Sequence, residues 1–241
     1  MSNEVDYYNN FYKDLARIDR QGNQFSKIEA FVTDLKPGSK ILDVGCGFGS
    51  VSGELIRRGH TVYGMEVNTE AVAELHKLGF KVLEQDITKP FNLNEKFDVI
   101  LILDVLEHVF DPTAILHECR KVLAEGGSII ISVPLYFDLR DRVRILFTGR
   151  IVSYDNLVYG KPLYSKIRSF IYDHIRFFKP EDVIEMCSIA NLKPVQTKYT
   201  ALAGLNSFFW RLIANKYSVK LWPGLFAHSM VTRVVKSAEK K

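Results

Sequence analysis

Between residues 37 and 134 the chain alternates short apolar runs with segments of helical period, and this alternation constrains the fold more than any other feature. Residues 40–44 read as a strand and 50–58 as a helix ending at Gly59. Residues 61–67 are a strand, 69–78 a helix stopped by Gly79, and 81–85 a short strand. Residues 97–103 carry a continuous apolar run, the mark of a strand buried on both faces. A helix over 112–123 and the turn Glu125-Gly126-Gly127 then lead into a strand over 128–133. Five strands joined by helical crossovers predict an α/β, doubly wound, mostly parallel sheet. Such sheets take ligands at the carboxyl ends of their strands, beside the point where the strand order reverses.

The first strand runs straight into a glycine-rich turn, Ile41-Leu42-Asp43-Val44-Gly45-Cys46-Gly47-Phe48-Gly49. Gly45 and Gly47 let the backbone approach a ligand, and the helix that follows offers unpaired N–H groups. A dinucleotide fingerprint needs GxGxxG, and Ser50 stands where its third glycine belongs. Asp43, two positions before the first glycine, would repel a pyrophosphate and suits a cationic ligand better.

Composition narrows the class. The chain has 241 residues, 47% hydrophobic and 25% charged, which excludes a disordered chain, a collagen-like fibre and a disulfide-stapled miniprotein. Its apolar runs fall well short of the roughly 20 residues a spanning helix needs. The start, MSNEVDYYNN, is acidic and polar where a signal peptide is basic and then apolar, so a cytoplasmic protein is expected. Cys46, Cys119 and Cys187 lie far apart and make neither a disulfide framework nor a CxxC metal knuckle. Charge is divided unevenly. Residues 1–134 hold 14 Lys and Arg against 20 Asp and Glu, whereas residues 135–241 hold 18 against 8, giving the chain's net +4. A basic second half fits an acidic substrate, an anionic surface or nucleic acid, and equally a solvated basic face.

LDVGCGFG resembles the first motif of the class I S-adenosylmethionine-dependent methyltransferases, and later segments match that family in order and spacing. Glu66, ending the second strand, matches the acidic residue that holds the cofactor's ribose; a carboxylate accepts two hydrogen bonds from a vicinal diol. Asp86-Ile87 matches the adenine-binding position, and FDVILILDVLEHVFDP resembles the fourth-strand segment, most closely that of the small-molecule branch with the ubiquinone-biosynthesis O-methyltransferases. GGSIIISVP matches the fifth strand, and HIRFFKPEDVIEMCSIANL is similar to the segment that follows it. The resemblance implies a seven-stranded Rossmann-like sheet and S-adenosylmethionine as cofactor, bound by Asp43, Gly45, Cys46, Gly47, Glu66, Val67, Asp86, Ile87, Leu103 and Asp104. An N-terminal aromatic helix would close over the cofactor, with Tyr8 or Tyr12 near the sulfonium. It divides the chain into a helical cap (1–36), a cofactor-binding core (37–134), an acceptor-site insertion (135–175), and a C-terminal helix with antiparallel strands completing the sheet (176–241).

Two histidines are candidate catalytic residues. His174 suits deprotonation of an acceptor hydroxyl, or else holds the insertion onto the sheet; His108 faces the acceptor pocket, or satisfies a local hydrogen bond. Asp104, Glu107 and His108 group two carboxylates with an imidazole, but without further ligands in the sequence no metal is assigned. The stretch Asp104-Val105-Leu106-Glu107 replaces the Asp/Asn-Pro-Pro-aromatic motif of amino-methylating nucleic-acid enzymes, so no nucleic-acid partner is expected. Arg140, Arg142, Arg144, Arg150, Lys161, Lys166 and Arg168 predict a small, anionic acceptor such as a sugar nucleotide, an aromatic acid or a lipid-linked intermediate. NSFFWRLIANKYSVKLW leaves peripheral membrane contact open beside a simple lid helix, and the chain is expected to be a monomer or homodimer. A non-catalytic binding or regulatory protein is the alternative function, and a nicotinamide-dependent dehydrogenase a weaker one.

Overall fold

The computed structural model describes residues 24–149, 174–201 and 216–238. Strands β1 (Lys40–Val44), β2 (Thr61–Met65), β3 (Lys81–Leu83), β4 (Phe97–Leu103), β5 (Leu123–Pro134), β6 (Leu192–Ala201) and β7 (Ala227–Lys236) form one sheet in the order β3-β2-β1-β4-β5-β7-β6. Strands β1 to β5 are mutually parallel, and β7 runs antiparallel between β5 and β6. The chain moves outward from β1 to β3 and returns to lay β4 on the other side of β1, so the strand order reverses between β1 and β4. That is the expected doubly wound sheet.

The period of two along each strand builds a core on both faces. From β1, Leu42 and Val44 join Ile100, Ile102, Ile129 and Ile131 under Ile115, Leu116, Cys119, Val183 and Phe226. Ile41 points the other way, with Val99, Leu101 and Ile130, against Phe25, Ile28, Phe31, Leu55, Leu75 and Phe80. Two crossover helices start at side-chain caps. Asn68 Oδ1 accepts the Ala71 N–H at 2.9 Å ahead of the helix Thr69–Lys77, and Asp111 Oδ1 accepts the Ala114 N–H at 2.9 Å ahead of Pro112–Val122.

Several segments refine or depart from the expectation. The helix predicted over 50–58 is confined to Gly53–Arg57, because residues 50–52 are spent on the glycine turn. The turn predicted at Glu125-Gly126-Gly127 is a bulge within β5: Phe97 pairs with Leu123 and Val99 with Ser128, so the intervening residues step out of the ladder. The segment after β5, expected as an acceptor-site insertion, contains the helix Leu139–Thr148, on which Leu146 and Phe147 are exposed. Of the predicted N-terminal helical segment, the described part is a 3-10 turn, Gln24–Lys27, and the short helix Glu29–Val32. The lid helix expected in NSFFWRLIANKYSVKLW lies mostly outside the described residues; Lys216–Leu221 and Pro223–Phe226 are helical.

Candidate active site

The carboxyl ends of β1 and β2 are tied together by a carboxylate. Glu66 is buried at the end of β2 and accepts three backbone N–H groups: Gly47 at 2.9 Å on Oε2, and Val67 at 2.8 Å and Asn68 at 2.9 Å on Oε1. The Gly45 N–H reaches back to the Met65 carbonyl at 2.9 Å. Asp43, also buried, accepts the Ser52 hydroxyl at 2.5 Å, so the acid before the turn is locked to the residue after it. Gly45 and Gly47 are both left-handed, with φ of 69° and 51°. A Cβ on Gly45 would lie 3.0 Å from Val105 Cγ2 and 3.7 Å from Ile87 Cδ1, whereas one on Gly47 would meet nothing within 4 Å. The turn thus packs on one side and opens on the other.

Ile87 therefore lies against the glycine turn. Asp86 beside it is exposed, and its Oδ1 accepts both the N–H (2.8 Å) and the hydroxyl (2.7 Å) of Thr88. Val67 is 41% exposed, an apolar surface at the edge of the same cleft. Cys46 is placed differently from the other motif residues. Its thiol packs into the core, where a Cβ on Gly64 would come within 2.8 Å of Sγ, leaving only the backbone of Cys46 to face a ligand. Burial pushes that thiol well above its ordinary range, with Asp43 and Glu66 adding to the effect.

At the end of β4, Leu103 is half-buried and Asp104 takes a left-handed φ of 53°, costly for a residue with a side chain. Three contacts hold it there. Its N–H donates to the Ser132 carbonyl at 2.9 Å, Oδ1 accepts the Ser132 hydroxyl at 2.7 Å, and Oδ2 accepts Lys27 Nζ at 2.6 Å. Lys27 comes from the 3-10 turn before β1, so this ion pair brings the N-terminal segment onto the mouth of the site.

Beyond Asp104 a second group gathers. Glu107, in the 3-10 turn Leu106–His108, is 1% exposed, and its Oε2 has no hydrogen-bond partner among the described residues. The Nε2 atoms of His108 and His174 each lie 3.9 Å from Glu107 Oε1, and the two rings meet edge to face with centroids 4.6 Å apart. The Glu107 carbonyl accepts from Ile175 N at 2.9 Å and Arg176 N at 3.1 Å, which seats His174 over it. Tyr136, following β5, hydrogen-bonds His174 Nδ1 through its hydroxyl and packs edge-on against Phe177 at 4.8 Å. Burial raises the Glu107 carboxyl to a pKa of about 8, with Asp104 adding and Lys27 opposing. Burial, helped by His108, lowers His174 to about 4. Both groups are therefore predominantly neutral near pH 7, and the contact between them is not an ion pair. The donor atoms of Glu107, His108 and His174 all lie within 4.8 Å of one another.

The structure thus brings Asp43, Gly45, Gly47, Glu66, Val67, Asp86, Ile87, Leu103 and Asp104 to one sheet edge, and joins His108 to His174. Tyr8, Tyr12, Arg150, Lys161, Lys166 and Arg168 lie outside the described residues. Arg142 is exposed, and its Nε donates to the Phe137 carbonyl at 2.7 Å and its Nη2 to the Gly224 carbonyl at 3.1 Å. Four participants were not singled out from the sequence: Lys27, Ser52, Glu107 as a buried acid, and Tyr136. Only Glu107 carried a local signal, a carboxylate set within the apolar run Val105-Leu106…Val109.

A family model described as a methyltransferase domain matches residues 16–197. A ubiquinone biosynthesis O-methyltransferase of Idiomarina loihiensis is 34% identical over 170 residues, covering 68% of this chain and 65% of that protein. One of Pseudomonas fluorescens is 39% identical over 102 residues, covering 39% of this chain and 44% of that protein. The chain therefore spans between under half and about two thirds of the length of these curated relatives. Among solved structures, a magnesium protoporphyrin IX methyltransferase from Synechocystis PCC 6803 with bound S-adenosylhomocysteine superposes with a TM-score of 0.64 at 18% identity, covering 98% of this chain and 99% of that one. With the family model matching most of the chain and the site built at the reversal of strand order, this protein belongs to the class I S-adenosylmethionine-dependent methyltransferases.

Proposed function

We propose that the chain transfers the methyl group of S-adenosylmethionine to a hydroxyl oxygen of a small, anionic acceptor. In this reading Glu66 receives the ribose hydroxyls, Asp86 the adenine amine, and Val67 and Ile87 the faces of the ring. Gly45, Cys46 and Gly47 line the methionine arm through their backbone, with Asp43 beneath them, and Leu103, Asp104 and Tyr8 close around the sulfonium. The sulfonium methyl is already activated, so the protein's main task is alignment of the acceptor oxygen behind the S–CH3 bond, worth roughly 7–11 kcal/mol when reacting atoms are held in line.

The observation that favours a hydroxyl acceptor is the Tyr136–His174–Glu107 group with His108. A nucleophile without a proton needs no such partners, and a hydroxyl does. The relatives named O-methyltransferases support the same choice. An anionic acceptor rests on the charge of residues 135–241, with 18 Lys and Arg against 8 Asp and Glu. Three buried free thiols, Cys46, Cys119 and Cys187, fit a reducing, cytoplasmic setting. No described helix is long and apolar enough to cross a membrane. The aromatic stretch 206–222 leaves contact with a membrane surface as an outcome to be tested by vesicle sedimentation.

Thermal unfolding with S-adenosylhomocysteine, S-adenosylmethionine or NADH added separately tests the cofactor. At about 100 times Kd a ligand adds roughly 2.7 kcal/mol, on the order of 5–10 °C for a chain of this size. A shift with the adenosyl compounds and none with NADH is expected. Radiolabelled methyl transfer to 3,4-dihydroxybenzoate, a sugar nucleotide and an uncharged catechol then tests the acceptor. Preference for the uncharged compound would refute the anionic acceptor, and binding of cofactor with no transfer to any hydroxyl would favour a regulatory protein.

A further inference from the structure

Glu107 is a buried carboxyl set among groups that exchange protons. Its Oε2 is buried without a hydrogen-bond partner among the described residues, a rare and costly state for a native carboxyl. Its Oε1 faces the imidazole of His174 at 3.9 Å, and the far nitrogen of that ring is bonded by the Tyr136 hydroxyl. Hydroxyl, imidazole and carboxyl therefore form a line from half-buried Tyr136, beside Phe177 at the end of β5, to fully buried Glu107 after β4. The left-handed backbones of Asp104 (φ 53°) and Phe137 (φ 64°) flank this line, strain of the kind that collects at functional sites.

We propose that Tyr136, His174 and Glu107 form a proton path that carries the acceptor's hydroxyl proton inward to Glu107, an inference that rests on the hydroxyl-acceptor reading above. As the acceptor oxygen forms its bond to the methyl carbon, the S–CH3 bond breaks and its electron pair stays on sulfur. The acceptor's proton passes to Tyr136 Oη, the Tyr136 proton to His174 Nδ1, and the proton on His174 Nε2 to the Glu107 carboxylate. The histidine ends in its other tautomer. The products are a thioether, a methyl ether and a carboxylic acid, so the sulfonium's positive charge and the carboxylate's negative charge vanish together. The 3.9 Å gap is long for a hydrogen bond, as such contacts often are before the acceptor binds.

The electrostatics agree with the direction. Among the described residues, the groups facing Glu107 are Asp104 from the end of β4, Lys27 from the N-terminal turn, His108 from its own turn, and His174 with Tyr136 behind it. With Glu107 near 8 and His174 near 4, the carboxylate is the stronger base and the proton comes to rest there. A cation at the methyl position favours the ionised carboxyl, so the cofactor itself prepares the base.

The test uses full-length protein labelled with [δ-13C]glutamate and titrated by NMR, with either S-adenosylhomocysteine or sinefungin, whose amine sets a positive charge at the methyl position. One carboxyl is expected to titrate well above the others with S-adenosylhomocysteine and at lower pH with sinefungin. That signal is absent in Glu107→Gln and shifted in His174→Gln. A Glu107 that ionises with the surface glutamates, or that ignores both sinefungin and His174→Gln, overturns the path. With S-adenosylmethionine and 3,4-dihydroxybenzoate, Tyr136→Phe and Glu107→Gln should each lower kcat about 100-fold or more while the KM for cofactor is kept. Glu107→Gln should also remove the acid limb of the pH–kcat profile, the fall in rate as the carboxylate takes up a proton. Unchanged kcat and profile would overturn the proposal, as would activity abolished by EDTA and restored by Mg2+, which would make the cluster a cation site. Failure to methylate 3,4-dihydroxybenzoate counts against the acceptor reading instead, and the carboxyl titration still decides the path.

Discussion

Glu66 Oε2 accepts the backbone N–H of Gly47 at 2.9 Å, so the carboxylate ending β2 fixes the glycine turn that follows β1. With Val67 and Asn68 bonded to its other oxygen, one side chain organises three orphan amides at the reversal of the sheet. A residue expected to hold the cofactor's ribose also shapes the turn that its methionine arm would cross.

Glu66→Gln separates these duties poorly, which makes it informative. A carboxamide has one acceptor oxygen, so its NH2 must face either the Gly47 amide or the Val67 and Asn68 amides. Leaving buried donors unmatched costs about 1–3 kcal/mol. We expect a fall in Tm of several degrees, together with loss of the thermal shift given by S-adenosylhomocysteine. Unchanged values for both would show that the hydrogen bonds of Glu66 are dispensable.

Ser52→Ala removes the hydroxyl that donates to buried Asp43 at 2.5 Å. A buried carboxylate deprived of a donor is destabilised by about 1–3 kcal/mol, or roughly 2–10 °C in Tm for a chain of this length. Ser52→Thr, which keeps the hydroxyl, should lose less. Equal losses in calorimetry would assign the effect to packing.

The Lys27–Asp104 pair is short at 2.6 Å, yet its side chains are 40% and 39% exposed, so solvent screens most of the attraction. Lys27→Ala should change stability by about 0–1 kcal/mol. Asp104→Ala should cost more, since it also loses the Ser132 hydroxyl contact and leaves alanine at φ 53°, while Asp104→Asn tolerates that backbone. Urea unfolding of the three variants should rank them in that way, with Asp104→Ala the least stable.

The stability–pH curve carries opposite contributions from two neighbours. Glu107 is raised from 4.5 to about 8, so its folded form binds the proton more tightly; its contribution is full below pH 4.5 and is lost as pH rises through 8. His174 is lowered from 6.5 to about 4, so its contribution is full above pH 6.5 and is lost as pH falls through 4. Between pH 4.5 and 6.5 the two slopes oppose each other, placing a broad Tm maximum there. Glu107→Gln should flatten the decline between pH 6.5 and 8 in a differential scanning series. A decline that persists in this variant would place its origin elsewhere.

The limits of the sequence follow the range of the interactions. β1 and β4 were legible to the residue: β4 carries the apolar run 99–103 of a strand buried on both faces, and β1 runs from the Pro37-Gly38 break into the glycine turn. The GxGxG turn was legible because left-handed backbone demands particular residues at particular places. The step of residues 124–127 out of the β5 ladder was not legible, since a bulge is set by the partner strand β4. The helix Leu139–Thr148 was not separated from the rest of the insertion, since exposed apolar residues such as Leu146 and Phe147 do not mark which face is buried. His108 and His174 stood out singly, whereas their meeting on Glu107 depends on the Ile175 and Arg176 amides bonding the Glu107 carbonyl, across more than sixty residues of chain.

By itself the sequence determined the doubly wound sheet, the glycine turn and the order of its acidic partners, all encoded within a strand, a turn or a helix. Only the tertiary structure decided that Glu66 holds the Gly47 amide, that Lys27 reaches Asp104, and that Glu107 lies buried between two imidazoles with Tyr136 behind one of them. Local backbone preference and apolar period act over a few residues and can be read in order along the chain. Burial, and the protonation that burial dictates, depend on what distant segments bring to the same point.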